Sequence, residues 1–66
     1  QKKIININTA AKEDLVRLPG IGPSLAEAVI EYRNTKGAFK DKEEIKSVRG
    51  IGPAKFERIK DYIKTE

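Results

Sequence analysis

The chain contains no cysteine and no histidine. Without cysteine there is no disulfide and no thiolate to hold a metal, so its 66 residues must be stabilised by an apolar core alone. Without histidine it lacks the commonest general base and the commonest neutral metal ligand. Long hydrophobic runs are missing too. The longest apolar stretches are two or three residues, so no segment could span a membrane and none reads as a signal-peptide core. Any anchor or signal is expected outside these residues.

What the chain does have is charge and repetition. Lys plus Arg number 14 against 10 acidic residues, a net charge of +4 that suits a polyanionic partner without demanding one. Shifted by thirty residues, the sequence aligns with itself: KEDLVRLPGIGP (12–23) falls on KEEIKSVRGIGP (42–53). Leu15 meets Ile45, Leu18 meets Val48, Val29 meets Ile59 and Tyr32 meets Tyr62. Such an internal repeat marks two copies of one supersecondary unit, each too short to bury its own apolar face, so the two must pack together.

Each copy reads as helix, tight turn, helix in a single all-α domain. Ala11, Leu15 and Leu18 follow a helical period before the first turn; Leu25, Ala28, Val29 and Tyr32 follow one after it, as do Phe56, Ile59 and Ile63 in the second copy. Pro23 and Pro53 suit the first position of a helix. Gly20, Gly22, Gly50 and Gly52 are expected to end the preceding helix and to supply positive or strained φ. Asp41 with Glu44 predicts a capping box; Ala11 and Asp14 cannot form its counterpart, and Thr9 is the expected substitute. The lead-in IININ (4–8) alternates and should run extended, with Ile5 and Ile7 inward. Phe39 is placed to plug the core, and residues 1–3 and 64–66 are expected to fray. The resulting organisation is one domain over 4–63: motif one at 9–33, a connector at 34–39 and motif two at 40–63.

A Gly-Ile-Gly-Pro turn that opens a helix leaves main-chain amides without partners at the positive end of the helix dipole, and its glycines let another molecule approach closely. That makes an anion site suited to phosphate. The available donors are the amides of Gly20, Gly22, Ser24 and Leu25, and of Gly50, Gly52, Ala54 and Lys55. A single such turn could equally be a joint between packed helices. Two copies with the same flanks instead fit a ligand with two phosphates at fixed separation, as a nucleic-acid duplex supplies. Amides grip phosphate and read no bases, so binding should be independent of sequence. Lys46, Arg49, Lys55 and Arg58 lie near the second turn and only Arg17 lies near the first, so the second hairpin is expected to carry more of the attraction. Tyr32 and Tyr62, at equivalent repeat positions, are read as core residues rather than base-stacking ones. No carboxylates are placed with a nucleophile or a metal-ligand set, which argues for a binding protein rather than an enzyme.

LPGIGPSLAEAVIEYR (18–33) resembles the helix-hairpin-helix motif of DNA-binding proteins, and two copies resemble its tandem form, with pseudo-two-fold symmetry. The lead-in ININTA, with EDL, GIG, YR, GAF and a second GIG, is similar to the ComEA family of bacterial competence proteins over about residues 4–63. The resemblance implies sequence-independent binding of double-stranded DNA through hairpin amides on phosphates beside the minor groove. It also implies an extracytoplasmic place in DNA uptake during transformation, with no small-molecule substrate and any membrane attachment made outside these residues. Related hairpins can hold K⁺ or Na⁺ on main-chain carbonyls, here those of Val16, Leu18 and Ile21, or of Lys46, Val48 and Ile51; no other cofactor is implied. Copy one departs from the pattern in lacking a basic residue after its hairpin and in having Ala11 at the cap position. Two other readings stay open: a protein-interaction module with purely structural hairpins, and the DNA-clamping part of a larger repair enzyme.

Overall fold

Residues that align across the thirty-residue shift are buried together. Leu15 and Ile45, Leu18 and Val48, Ile21 and Ile51, Ala26 and Phe56, and Val29 and Ile59 all lie in one hydrophobic core. The structure, a computed structural model, describes residues 4–66. The chain runs through β1 (Ile5–Asn6), α1 (Lys12–Leu15), α2 (Pro23–Lys36), a 3-10 helix (Lys42–Ser47), α3 (Pro53–Ile59), a short 3-10 turn (Lys60–Tyr62) and β2 (Ile63–Lys64). The fold is therefore mostly helical, two helix-hairpin-helix units as expected, with one small strand pair added.

The helices before the hairpins are shorter than the apolar spacing predicted. α1 is a single turn, and its counterpart in motif two is a 3-10 helix. Ala11 is not a core residue but the exposed N-cap of α1, and Leu18 is buried beyond the helix end. The inward residues instead recur every third position, as Leu15, Leu18, Ile21 and Ile45, Val48, Ile51. That is the period of i→i+3 bonding, and the bonds are there: Leu18 N to Leu15 O and Ile21 N to Leu18 O at 3.1 Å, and Val48 N to Ile45 O and Ile51 N to Val48 O at 3.0 Å.

Thr9 does not cap α1. Its amide and that of Ala10 already donate to Asn6 O, at 3.1 and 2.9 Å, closing a turn that leaves the chain extended at Ala11. The capping box of motif two is half formed. Asp41 Oδ1 accepts from Glu44 N at 3.2 Å, but Glu44 Oε1 accepts from Lys40 N (2.8 Å) one residue outside the expected position. Its other oxygen accepts from the Tyr32 hydroxyl at 3.1 Å.

The C-terminal end is tied down rather than frayed. α3 stops at Ile59, and Ile63 is buried not on a helical stripe but in β2, which pairs in parallel with β1 in the register Ile5 to Ile63 and Asn6 to Lys64. Ile7 N donates to Lys64 O at 2.9 Å. The expectation for residues 1–3 lies outside the described residues.

Asn8 fastens three segments. Its Oδ1 accepts from Phe39 N at 2.7 Å, and its Nδ2 donates to Phe39 O and to Thr65 O, each at 3.0 Å. Arg33 Nη1 donates to Ile7 O at 2.9 Å, holding the same lead-in to the end of α2. Phe39 is buried as expected and stacks on the half-buried Tyr32 ring at 5.0 Å between centroids. The ININTA, YR and GAF residues thus meet at one place, where lead-in, α2, connector and C-terminus are joined.

Candidate nucleic-acid interface

Both hairpins have the same backbone. Residues 18–21 and 48–51 form four-residue turns whose third residue takes positive φ, +80° at Gly20 and +93° at Gly50. Proline or arginine followed by such a glycine is the type II turn pattern, in which a side chain at the third position is strained. Only the first glycine of each hairpin does this. Gly22 and Gly52 were expected to need unusual φ as well, but they are extended (φ −93° and −101°) and serve as N-caps of α2 and α3. Their carbonyls accept the first intrahelical bonds, from Ala26 N at 2.9 Å and Phe56 N at 3.0 Å.

Neither a positive φ nor packing among the described residues requires glycine at positions 22 and 52. A Cβ at either would meet nothing within 4 Å among the described residues. Both face open space beside the hairpin. Ile21 and Ile51, between the glycines, are buried and hold the turns against the core. The amides of Ser24, Leu25, Ala54 and Lys55 precede the first intrahelical bond of their helices and so have no acceptor four residues back within them. Gly20, Gly22, Ser24, Gly50, Gly52 and Ala54 are exposed, while Leu25 and Lys55 are half-buried.

The two hairpins are in contact, and the contact is reciprocal. A Cβ at Gly50 would lie 2.6 Å from Leu25 Cδ2. A Cβ at Gly20 would lie 3.5 Å from Arg58 Nη1 and 3.9 Å from Lys55 Cε. Positions 25 and 55 are equivalents in the repeat, so each motif reaches across to the other's positive-φ glycine, as pseudo-two-fold symmetry requires. Proximity in sequence had grouped Lys55 and Arg58 with the second hairpin; the fold brings their ends to the first. The signal was available in the pairing of Leu25 with Lys55, but only knowledge of the crossing gives it meaning.

The other predicted basic residues separate. Arg49 lines, with Tyr32, Lys36 and Ser47, a shallow groove against α2. Lys46 Nζ lies 5.0 Å from the Phe56 ring centroid and 4.0 Å from Glu43 Oε1, so its charge is partly engaged. Arg17 is exposed just after α1. Among the described residues, Lys12 pairs with Glu27 and Lys60 with Glu57, whereas Arg17, Arg49, Lys55 and Arg58 have no carboxylate partner. The Lys12 ammonium holds the Glu27 carboxyl below its ordinary range, and Glu57 raises the Lys60 ammonium. Among the described residues no three carboxylates gather as a metal site. The carbonyls of Leu18 and Val48 each accept one turn bond, from Ile21 N and Ile51 N.

Comparison with known proteins shows the family. Residues 1–64 match the model of the helix-hairpin-helix motif family. ComE operon protein 1 of Bacillus subtilis, the ComEA protein, is 50% identical over 60 residues, which are 91% of this chain and 29% of that protein. The human endonuclease/exonuclease/phosphatase family domain-containing protein 1 is 43% identical over 56 residues, 85% of this chain and 10% of its own length. An uncharacterized protein of Haemophilus influenzae is 42% identical over 60 residues, 89% of this chain and 54% of that protein. The chain thus spans under a third of the first of these relatives and a tenth of the second.

Proposed function

This chain belongs to the helix-hairpin-helix family, and from that premise we propose that its two hairpins hold double-stranded DNA by the phosphates, without regard to base sequence. The observation that supports the reading is the open space at Gly22 and Gly52, where a side chain would clash with none of the described residues yet none is present. A phosphate oxygen close to the backbone accounts for both. The donors at hairpin one are the amides of Gly20, Gly22, Ser24 and Leu25, and at hairpin two those of Gly50, Gly52, Ala54 and Lys55. Pro23 and Pro53 have no N–H and fix the helix starts. Oxygens held by main-chain amides carry no base information, so one duplex binds as well as another.

Likeness to ComE operon protein 1 supports a role in DNA uptake during competence, at an extracytoplasmic location. Among the described residues no helix is long and apolar enough to cross a membrane, so attachment would be made by other segments. The same module within a larger endonuclease/exonuclease/phosphatase-family protein shows that it also occurs as a small part of longer chains. We assign it no catalysis: the role is binding. A K⁺ or Na⁺ ion fits the uncharged carbonyls of Val16, Leu18 and Ile21, or of Lys46, Val48 and Ile51, where it would add positive charge beside a phosphate. Against the interaction-module reading stands the presence of both glycine pairs and, beside hairpin one, of cations with no carboxylate partner among the described residues.

Titration of mixed-sequence duplexes by fluorescence anisotropy tests the proposal. Log affinity should fall against log salt with a slope of roughly −3 to −5, about −0.9 for each phosphate neutralised, and should vary little between duplex sequences. Absence of binding below the millimolar range at about 50 mM salt would reject it.

A further inference from the structure

We propose that Lys55 and Arg58, which belong to motif two, neutralise the phosphate held by hairpin one. The inference rests on the DNA-binding reading and names the charge partner of each hairpin. Arg58 Nη1 lies 3.5 Å, and Lys55 Cε 3.9 Å, from the point where a Cβ of Gly20 would stand; at Gly50 the corresponding point is met, among the described residues, by Leu25. Neither Lys55 nor Arg58 is drawn away by a carboxylate among the described residues. Their charges are therefore free to face an anion, and the exposed backbone beside them is that of hairpin one.

The consequence is an uneven grip opposite to the one that chain proximity implies. Hairpin one, with no cation of its own after the turn, borrows two from the other motif and adds Arg17. Hairpin two receives an apolar Leu25 in the equivalent place and keeps Arg49, which lies toward the groove with Tyr32 and Lys36. The strand on hairpin one is the more tightly held. The reciprocal crossing also couples the two grips, since α3 starts at hairpin two while its side chains end at hairpin one.

A double-mutant cycle on the whole chain tests this. Gly22→Ala and Gly52→Ala each place a methyl where a phosphate would approach, at extended φ and with no intramolecular contact, so both should fold; circular dichroism melts check this. Arg58→Ala should weaken duplex binding about tenfold in the wild-type and Gly52→Ala backgrounds, the order of one charge-assisted contact. In the Gly22→Ala background, where hairpin one is already blocked, the further loss should be below about twofold. Lys55→Ala should behave alike, and each should flatten the salt slope by about 0.9 only where hairpin one is intact. Gly22→Ala alone should weaken binding more than Gly52→Ala alone. Coupling of Arg58 to Gly52 instead of Gly22, or equal loss in both backgrounds, overturns the crossing while leaving DNA binding intact. A folded wild-type chain that binds no duplex overturns both.

Discussion

Replacing Asn8 by alanine should lower the stability of the whole domain by an amount that can be worked from its three bonds. The amide accepts from Phe39 N at 2.7 Å and donates to Phe39 O and Thr65 O at 3.0 Å, all part-buried. At about 0.5–1.5 kcal/mol net for each bond, their loss amounts to about 2–4 kcal/mol. A chain of this size has a total stability of only about 3–10 kcal/mol, and each kcal/mol is about 7 °C in melting temperature, so the variant should melt roughly 15–30 °C lower. Asn6→Ala is the matched control, since its side chain accepts only the single bond from Asn8 N at 2.9 Å; its drop should be about a third as large. Asn8→Asp separates geometry from chemistry. It can still accept from Phe39 N but turns a carboxylate oxygen toward two carbonyls, so it should be no more stable than Asn8→Ala at neutral pH. Thermal unfolding followed by circular dichroism measures all three. If Asn8→Ala melted within about 3 °C of the wild type, the three segments would not be held by this side chain and the reasoning would fail.

Three further outcomes follow from other parts of the structure. Ile63→Ala should cost about 2–4 kcal/mol, as for any fully packed isoleucine, and a change indistinguishable from a tail substitution in chemical denaturation would show that β2 is not part of the cooperative unit. Gly50→Ala should be worse than Gly20→Ala, because both suffer positive φ but only the first places a methyl 2.6 Å from Leu25 Cδ2; adding Leu25→Ala should recover part of the Gly50→Ala loss, and equal melting of the two glycine variants would contradict the packing. The Lys12–Glu27 pair sets an acid-side effect. Its lowered folded pKa gives stability that is present above the unfolded value of Glu27 and lost as pH falls through the folded one, so Glu27→Gln should lower the melting temperature slightly at neutral pH, both side chains being exposed, and the two proteins should converge as the pH falls through the folded pKa.

The repeat was legible because it depends on composition at fixed spacing. Pairs thirty residues apart announced two units, and the glycines with their prolines announced the hairpins. Alternation in the lead-in likewise announced the inward Ile5 and Ile7. The helices before the hairpins differ from the expected extent because a three-residue period and a helical one share their first steps: Leu15 and Leu18 satisfy either, whereas α2 runs from Pro23 as its apolar period predicts. Nothing local in Ile63 distinguishes a helix residue from a strand residue. Its fate depends on Ile5, at the other end of the chain.

What the sequence determined by itself was therefore local and periodic: two apolar repeats that need each other, turns that only glycine completes, and a basic balance. What only the tertiary structure decided was which ends meet. Residues 25 and 55 cross between the motifs because packing two like units about a pseudo-two-fold axis sends equivalent side chains to each other's turn. Asn8 becomes a clasp because the lead-in, the connector and the C-terminus converge on it. Contacts such as these join positions far apart in the chain, and spacing along a chain carries no record of distance through space.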